Sequence, residues 1–264
     1  MSKRMRCIRL ETAARILSGV KGSADVQKNA NDPVSTMKKK LFGDWDGTPA
    51  QAIALQKNLR SGVRLTPLTS RVRYIGGADV SMNRFALEGF AGFVVLTYPE
   101  LGFVSHSVAK AGISFPYIPG LLSFREIPML MQAWEKLQPK PDVIIVDGVG
   151  VAHPRGVGIA THLGLALGVP TIGCAKSVLF GTYEEPSQRP GSISYLYSPS
   201  SSEILGAALR TKQNVKPVFV SPGHLITLEE SIEIVKSCVL KHRLPEPTRF
   251  AHNTVNEYRK KELI

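Results

Sequence analysis

Residues 143–150 read Val-Ile-Ile-Val-Asp-Gly-Val-Gly, and they indicate the architecture more clearly than any other segment. Four consecutive apolar residues predict a strand that is covered on both faces, as in a sheet flanked by helices. Asp147 ends this run. A carboxylate that closes a buried strand is poorly solvated unless positive charge lies against it. The stretch therefore predicts a central strand with a functional acid at its end.

Signals on both sides of this strand predict further elements. Thr48-Pro49 predicts the start of a helix, and 72–82, 90–98 and 103–111 predict three strands in an antiparallel meander. Downstream, the sequence predicts helices at 124–137, 158–167 and 227–241, strands at 169–174, 205–210 and 218–220, and an irregular excursion at 187–202. Thr227-x-x-Glu230 is a capping box that opens the last of these helices. This order predicts an α/β fold of ribonuclease H-like type, with a mixed β-sheet flanked by helices.

The charge balance is strongly basic but uneven. The 264 residues carry a net charge of +12, and the sequence pI is about 9.7. Residues 1–40 hold ten basic and three acidic residues, so +5 remains for the other 224. A basic surface favours polyanions, with nucleic acid as the first candidate. We expect a flexible basic extension at 1–45 and a single catalytic domain at 46–264.

Several protein classes are disfavoured. No apolar run approaches the roughly 18 residues that a membrane span requires. Cys7, Cys174 and Cys238 are odd in number and widely spaced, which argues against a disulfide framework and against a cysteine-based zinc site. The N-terminus lacks the apolar core of a secretory signal. The sequence thus predicts a cytoplasmic protein without a membrane or an obligate protein partner.

Two further acids accompany Asp147. Asp79 follows the strand-like residues 74–78, and Glu126 lies at the head of the amphipathic stretch 124–137. Hard cations such as Mg2+ take oxygen ligands, so a fold that joins the three acids would form a metal site. Each acid also has a structural explanation. The alternative interpretation of Asp79 is a turn former, and Ser123-x-x-Glu126 has the spacing of a capping box.

Several motifs occur together in one order and resemble the endonuclease V family of nucleases, which nick DNA near deoxyinosine. The resemblance covers roughly residues 48–250 and rests on the segments 76–80, 116–126, 146–155, 173–176, 223–224 and 244–249. It implies a metal centre at Asp79, Glu126 and Asp147. It also implies a catalytic role for His224, a phosphate contact for Lys176 and a wedge role for Tyr117. Val149 departs from the histidine that many relatives carry between the glycines, which puts a polar role at that position in doubt.

Four residues keep alternative interpretations. His224 is either a solvated loop histidine or a group that orients water, since imidazole titrates near neutrality. Lys176 is either a surface lysine or a cation aimed at the sheet edge where Asp147 lies. His153 and Arg155 form either a structural turn or a phosphate contact.

The stiff loop Pro116-Tyr117-Ile118-Pro119-Gly120 is the predicted DNA contact. Tyr117 is either a packed loop aromatic or a wedge that replaces a displaced base, and the flanking prolines favour the wedge because they reduce the entropy lost on insertion. The predicted base pocket consists of Gly120, Leu122, Gly148 and Gly150. At the glycines, backbone groups are able to approach a base edge directly.

The three acids predict a Mg2+-dependent nuclease, with Mn2+ as a substitute ion, and the resemblance implies a repair endonuclease acting on DNA that contains deoxyinosine. The resemblance implies cleavage at the second phosphodiester 3′ of the lesion, leaving 3′-hydroxyl and 5′-phosphate ends. Two alternatives stay open: an endoribonuclease acting on inosine in single-stranded RNA, and a non-catalytic nucleic-acid-binding module.

Overall fold

The structure is a computed structural model that describes residues 47–83 and 86–262. In chain order the elements are α1 (Pro49–Arg60), β1 (Tyr74–Ser81), β2 (Glu88–Thr97), β3 (Phe103–Gly112), α2 (Leu122–Lys136), β4 (Val143–Val146), α3 (Ile159–Leu167), β5 (Thr171–Ala175), β6 (Ile193–Tyr197), β7 (Ile204–Leu209), β8 (Val218–His224), α4 (Leu228–Ser237) and α5 (Glu246–Glu262). The basic extension predicted at 1–45 lies outside the described residues.

Eight strands form one mixed sheet in the order β3-β2-β1-β4-β5-β8-β7-β6. Strands β1, β4 and β5 are parallel neighbours. The other pairs are antiparallel, and the predicted meander of β1, β2 and β3 is confirmed. The predicted α/β fold with a mixed, helix-flanked sheet is therefore confirmed.

Helices cover both faces of the central strand β4, which explains its unbroken apolar sequence. Val143 and Ile145 belong to a core that also contains Ile232 of α4 and Ala251 of α5. On the opposite face, Trp134 of α2 meets Phe93 of β2 with ring centroids 5.5 Å apart. Because neighbouring strand residues face opposite sides of a sheet, a strand with two covered faces needs apolar residues throughout.

The N-terminal caps of two helices match the sequence. Thr48 caps α1 by accepting a hydrogen bond from the Gln51 N–H at 3.3 Å. Thr227 and Glu230 form the predicted reciprocal capping box at the start of α4. Local side-chain chemistry is thus sufficient to locate both starts.

Two predictions about the last third of the chain are wrong. The excursion at 187–202 contains strand β6, which pairs with β7. The helix that begins after Thr227 ends at Ser237, and a further helix, α5, follows it. Helix α5 is mostly polar, and its buried residues Thr248, Ala251 and Val255 form a narrow stripe at helical spacing. That stripe is the signal by which α5 could have been found.

Helix α5 lies against β1 at Gly77. A Cβ atom at Gly77 would lie only 1.9 Å from the carbonyl oxygen of Pro247. Only glycine therefore permits this contact between strand and helix backbone. The contact lies two residues before Asp79, and it brings the first turns of α5 beside the end of β1.

Among the helices of the described residues, none combines the length and the apolar character that crossing a membrane requires.

Candidate active site

The ends of β1 and β4 bring two carboxylates side by side. The strands are parallel, and Ala78 is in register with Val146. The next residue on each strand is Asp79 or Asp147, and the Asp147 N–H donates to the Ala78 carbonyl at 3.3 Å. Neighbouring strands lie about 4.8 Å apart, so acids at equivalent positions are close enough to share a cation.

Glu126 completes the acidic group from helix α2. A cavity of about 200 Å³ is lined by Asp79, Glu126 and Asp147. Burial, together with the charges of Asp79 and Asp147, raises the pKa of Glu126 to about 8. Burial and the Asp147 charge also raise the pKa of Asp79, although nearby His252 opposes the rise. Carboxyl groups in such surroundings ionise readily only when a cation compensates their charge.

The capping interpretation of Glu126 is wrong. Helix α2 begins at Leu122, and its N-cap is Leu121, whose side chain is apolar. The Ser123 hydroxyl meets the His162 Nδ1 at 3.0 Å instead. Glu126 therefore does not cap the helix. Its side chain instead lines the acidic cavity together with Asp79 and Asp147.

The Glu126→Gln variant should unfold at a higher temperature than the parent protein at pH 8 in EDTA. The folded-state pKa of Glu126, about 8, lies above the ordinary value of 4.5. The protonated Glu126 side chain therefore makes its full contribution to stability below about pH 4.5. This contribution is lost as the pH rises towards 8, since the Glu126 carboxyl group ionises at a lower pH in the unfolded chain than in the folded protein. Glutamine removes this penalty. In thermal unfolding from pH 5 to 9, the excess of the variant's unfolding temperature over that of the parent should grow with pH. A difference that does not change with pH would contradict the raised pKa of Glu126.

Lys176 supplies positive charge at the same sheet edge. Its ammonium contacts the Asp147 carboxylate directly, and the lysine side chain is 45% exposed. The carbonyl of Lys176 accepts a hydrogen bond from Arg243 at 2.7 Å, which holds the end of β5. The structure thus brings Lys176 to Asp147, while the solvent exposure leaves its ammonium able to meet a phosphate.

His252 of helix α5 is the site residue that the sequence reasoning missed. Its Nδ1 lies 2.9 Å from Asp79 Oδ2. Asp79, Asp147 and His252 each offer a ligand atom within 4.8 Å of the others. Two ligands about 2.1 Å from one octahedral Mg2+ ion lie about 3 Å apart at right angles, so the cluster has the size and the oxygen-rich chemistry of a divalent-cation site.

His224 is in a different place from that implied by the family resemblance. It pairs with Thr171 at the start of β5, whereas Lys176 follows the end of that strand. Thr171 is in register with Ile144, three residues before Asp147, so His224 lies about 10 Å along the sheet from the level of Asp147. His224 is nearly buried, and its Nδ1 accepts a hydrogen bond from the Arg64 N–H at 3.2 Å. The structure therefore does not bring His224 beside the carboxylates.

A second cavity, of about 320 Å³, adjoins the acids. Its wall includes most of the predicted DNA-contact loop and base pocket, together with both members of the Asp147–Lys176 pair: Tyr117, Ile118, Pro119, Gly120, Leu122, Asp147, Gly148 and Lys176. The ring of Tyr117 is 43% exposed at this opening. The cavity has the size and the apolar lining of a pocket for a small planar group.

Three side chains hold the loop 116–120 through one carbonyl. The Gly120 carbonyl accepts hydrogen bonds from Gln56 Nε2 at 3.2 Å, His153 Nε2 at 3.0 Å and Arg155 Nη2 at 2.7 Å. Burial and the Arg155 charge lower the pKa of His153 to about 4, so this imidazole is neutral. These contacts favour the structural interpretation of His153 and Arg155. Gly120 itself has φ +79°, which favours glycine.

Gly150, one of the predicted base-pocket residues, has its backbone groups occupied. Its N–H donates to Ser221 Oγ at 2.8 Å, and its carbonyl accepts from the Gly158 N–H at 3.0 Å. A Cβ atom there would lie 2.1 Å from the Pro222 carbonyl oxygen. Gly150 thus serves close backbone packing, and it is not among the residues that line the larger cavity.

Comparison with known proteins identifies close relatives. The sequence model of the Endonuclease V family matches residues 57–253. Endonuclease V of Dictyoglomus turgidum is 49% identical over 211 residues, which is 80% of this chain and 90% of that protein. The crystal structure of Endonuclease V from Streptomyces avermitilis has a TM-score of 0.77 and 38% identity, covering 84% of this chain and 97% of its own. Endonuclease V of Ciona intestinalis, in complex with a 23mer DNA containing an inosine followed by a ribo-adenosine, has a TM-score of 0.71 and 31% identity, covering 80% and 97%.

Proposed function

This chain belongs to the endonuclease V family, and we propose that it hydrolyses the second phosphodiester 3′ of deoxyinosine using Mg2+ held by Asp79 and Asp147. It is a metal-dependent repair nuclease whose substrate is DNA containing deoxyinosine. The observation that carries the proposal is the convergence of Asp79, Glu126 and Asp147 on one cavity, next to a second cavity lined by Tyr117 and Gly120.

In this mechanism Asp79 and Asp147 would hold the ion, and Glu126 would serve as a further ligand directly or through water. A bound divalent cation stabilises charge on the attacking and leaving oxygens of the phosphate. Mn2+ is expected to replace Mg2+, since both ions accept carboxylate and water ligands.

Lys176 and His252 act beside these acids. The Lys176 ammonium contacts Asp147 in the absence of substrate and offsets charge on the phosphate when DNA is bound. His252, rather than His224, is the imidazole beside the carboxylates, and its hydrogen bond holds the Asp79 side chain in one orientation.

The larger cavity accommodates the hypoxanthine base after it leaves the helical stack. Tyr117, flanked by Pro116 and followed by Ile118 and Pro119, fills the space that the base vacates. The hydrogen bonds to Gly120 keep this loop in place before DNA arrives, which reduces the ordering cost of binding. Leu122 and Gly148 form the wall against the base.

Tyr117→Ala should reduce the preference for inosine over adenine in a duplex by roughly tenfold or more, since removing a stacking side chain costs about 1–3 kcal/mol per base. The rate of cleavage once the base is bound should fall less. Single-turnover rates on matched inosine and adenine duplexes measure both effects. Tyr195, a partly exposed tyrosine on the outer strand β6, provides the control variant Tyr195→Ala. Unchanged selectivity in Tyr117→Ala would reject the wedge.

Two basic loops, 211–217 and 239–243, adjoin the active site, and we call them the basic shelf. They contain Lys212, Lys216, Lys241, His242 and Arg243 and no acidic residue. Arg243 Nη2 donates to the carbonyls of Lys176 and Pro217, both at 2.7 Å. The Thr211 hydroxyl donates to the Arg243 carbonyl at 2.8 Å, so the two loops are joined. The shelf is therefore a cationic surface beside the Asp147–Lys176 pair, and its charges suit the phosphates of a bound DNA strand.

Lys216→Gln and Lys241→Gln should each make DNA binding less dependent on salt. Each phosphate contact that is lost reduces the slope of log affinity against log salt by about 0.9. Fluorescence anisotropy of an inosine duplex in EDTA, from low to moderate salt, measures this slope without cleavage. Lys136→Gln, at the far end of helix α2 from Glu126, should leave the slope unchanged. Equal slopes for all three variants would exclude the shelf from the DNA contact.

The decisive experiment is incubation of an end-labelled inosine duplex with the protein and Mg2+, followed by mapping of the cut. We expect cleavage at the second phosphodiester 3′ of inosine, with a 5′-phosphate on the downstream fragment, and none in EDTA. A parallel arm with inosine in single-stranded RNA tests the alternative substrate. Faster cleavage of the RNA would reassign the function, and no cleavage of either would leave only nucleic-acid binding.

The domain organisation and the compartment are also proposals. We propose that residues 46–264 form the catalytic domain and that the protein acts in the cytoplasm. The buried cysteines Cys174 and Cys238 are free, as expected in a reducing compartment.

A further inference from the structure

The amide of Asn256, one turn after His252 on helix α5, has a single allowed orientation. Asn256 Nδ2 lies 2.9 Å from the His252 carbonyl oxygen, which is only an acceptor. The atom facing that oxygen must therefore be the amide nitrogen. The same nitrogen lies 3.2 Å from His252 Nε2.

Ser81 and Arg259 reinforce this orientation from the other side. Arg259 Nη1 donates to the Ser81 hydroxyl oxygen at 3.0 Å, and a guanidinium has donors only. The Ser81 hydroxyl donates its proton to Asn256 Oδ1 at 2.7 Å. Arg259 is itself held by Asn83, whose Oδ1 accepts from Nη2 at 2.7 Å.

These contacts determine which ring nitrogen of His252 carries the proton when the imidazole holds only one. Because the Asn256 amide donates to Nε2, Nε2 must be the acceptor, and the proton belongs on Nδ1. Nδ1 lies 2.9 Å from Asp79 Oδ2, where an N–H group donates to a carboxylate. The hydrogen bonds thus form one series, Arg259–Ser81–Asn256–His252–Asp79, in which each residue donates to the next.

We propose that Asn256 is a positioning residue which, held by Ser81 and Arg259, keeps the His252 proton on Nδ1 and makes His252 a hydrogen-bond donor to Asp79. A nitrogen that carries a proton has no lone pair for a cation, so His252 orients the Asp79 carboxylate rather than coordinating the ion through Nδ1. This inference rests on the proposed function only in taking Asp79 as a cation ligand. It is the inverse of the common arrangement in which a carboxylate orients a coordinating histidine.

The test is nitrogen NMR of protein labelled with 15N-histidine. Long-range proton–nitrogen correlation distinguishes protonated from bare ring nitrogens, and the His252→Gln spectrum identifies the His252 signals among the six histidines. At pH 8 in EDTA, we expect His252 to show a protonated Nδ1 and a bare Nε2. The same pattern should persist at saturating Mg2+. A bare or ion-bound Nδ1 under either condition overturns the proposal.

Asn256→Asp tests whether the amide controls the proton. Aspartate replaces a donor with an acceptor while Asp79 still accepts from Nδ1, so Nε2 should become protonated in addition to Nδ1 in EDTA. Asn253→Asp places the same charge on the exposed side of the same helix and should keep the parent pattern. Retention of the parent pattern in Asn256→Asp would overturn the role of Asn256. If the Asn256 variant fails to fold, the spectrum of the parent protein still decides the proton position.

The NMR result is separable from the nuclease assay. A protein that fails to cut inosine duplexes yet shows the expected His252 signals loses the proposed function and keeps the proton assignment. A protein that cuts normally but has a bare Nδ1 keeps the function and loses this inference.

Discussion

Replacing Asp147 with asparagine should lower the Mg2+-dependent nicking rate by roughly 10³-fold or more, because this carboxylate is the proposed ligand of the ion and pairs with Lys176. Asparagine is nearly isosteric, so the loss reflects charge rather than packing. Single-turnover cleavage of an inosine duplex at saturating protein measures the effect. Binding of the same duplex in EDTA should change little. Asp79→Asn should behave in the same way, since the two acids lie at equivalent positions on neighbouring strands.

Asp142 offers a matched control on the same strand. It lies immediately before β4, at the opposite end from Asp147, and its carboxylate accepts hydrogen bonds from the backbone N–H groups of Arg73 and Tyr74 at 2.8 and 2.9 Å. Asp142→Asn therefore also removes a charge beside β4 but should leave nicking within a few-fold of the parent rate. Near-parental cleavage by Asp147→Asn, or an equal loss in both variants, would refute the metal assignment.

His252→Ala should reduce nicking by roughly 10²-fold, the size of effect seen when groups that orient a metal site are removed. His224→Ala should leave the rate within a few-fold. The reason is location, since His252 contacts Asp79 while His224 lies at the other end of β5. Both variants should be compared in single-turnover reactions at the same Mg2+ concentration.

In the free energy of unfolding, His224→Ala should lose more than His252→Ala. His224 is nearly buried, and its Nδ1 accepts from the Arg64 N–H. His224→Ala leaves that donor unsatisfied and should lower the free energy of unfolding by about 1–3 kcal/mol. The half-exposed His252 should contribute less. A large catalytic loss in His224→Ala with intact folding would restore the role that the family resemblance implied.

Short sequence patterns were sufficient to predict the central strand and the starts of two helices. The apolar run at 143–146 predicted a strand covered on both faces, and Thr48 and Thr227 marked helix starts, because burial and capping leave signals within a few residues. Asp79 and Asp147 could be named for the same reason, since each directly follows a strand-like run of residues. Their adjacency depended on parallel pairing between distant segments, which the order of elements indicated but no single segment contained.

The remainder of the site depends on contacts that the sequence does not display. His252 lies on a polar helix whose apolar stripe is narrow, and its partner Asp79 is 173 residues away in the chain. Conversely, His224 follows a glycine in a motif that matched the family, yet strand pairing directs it to the wrong end of the sheet. Motif order located the enzyme class correctly but did not determine which histidine meets the acids.

The contact between Gly77 and Pro247 has a consequence for biosynthesis. Helix α5 follows all eight strands in chain order, so a growing polypeptide acquires its acids long before it acquires His252. Domains assemble as the ribosome delivers them, N-terminal parts first. The reactive centre is therefore completed only when the last helix settles onto the finished sheet, and an unfinished translation product lacks the imidazole that holds Asp79.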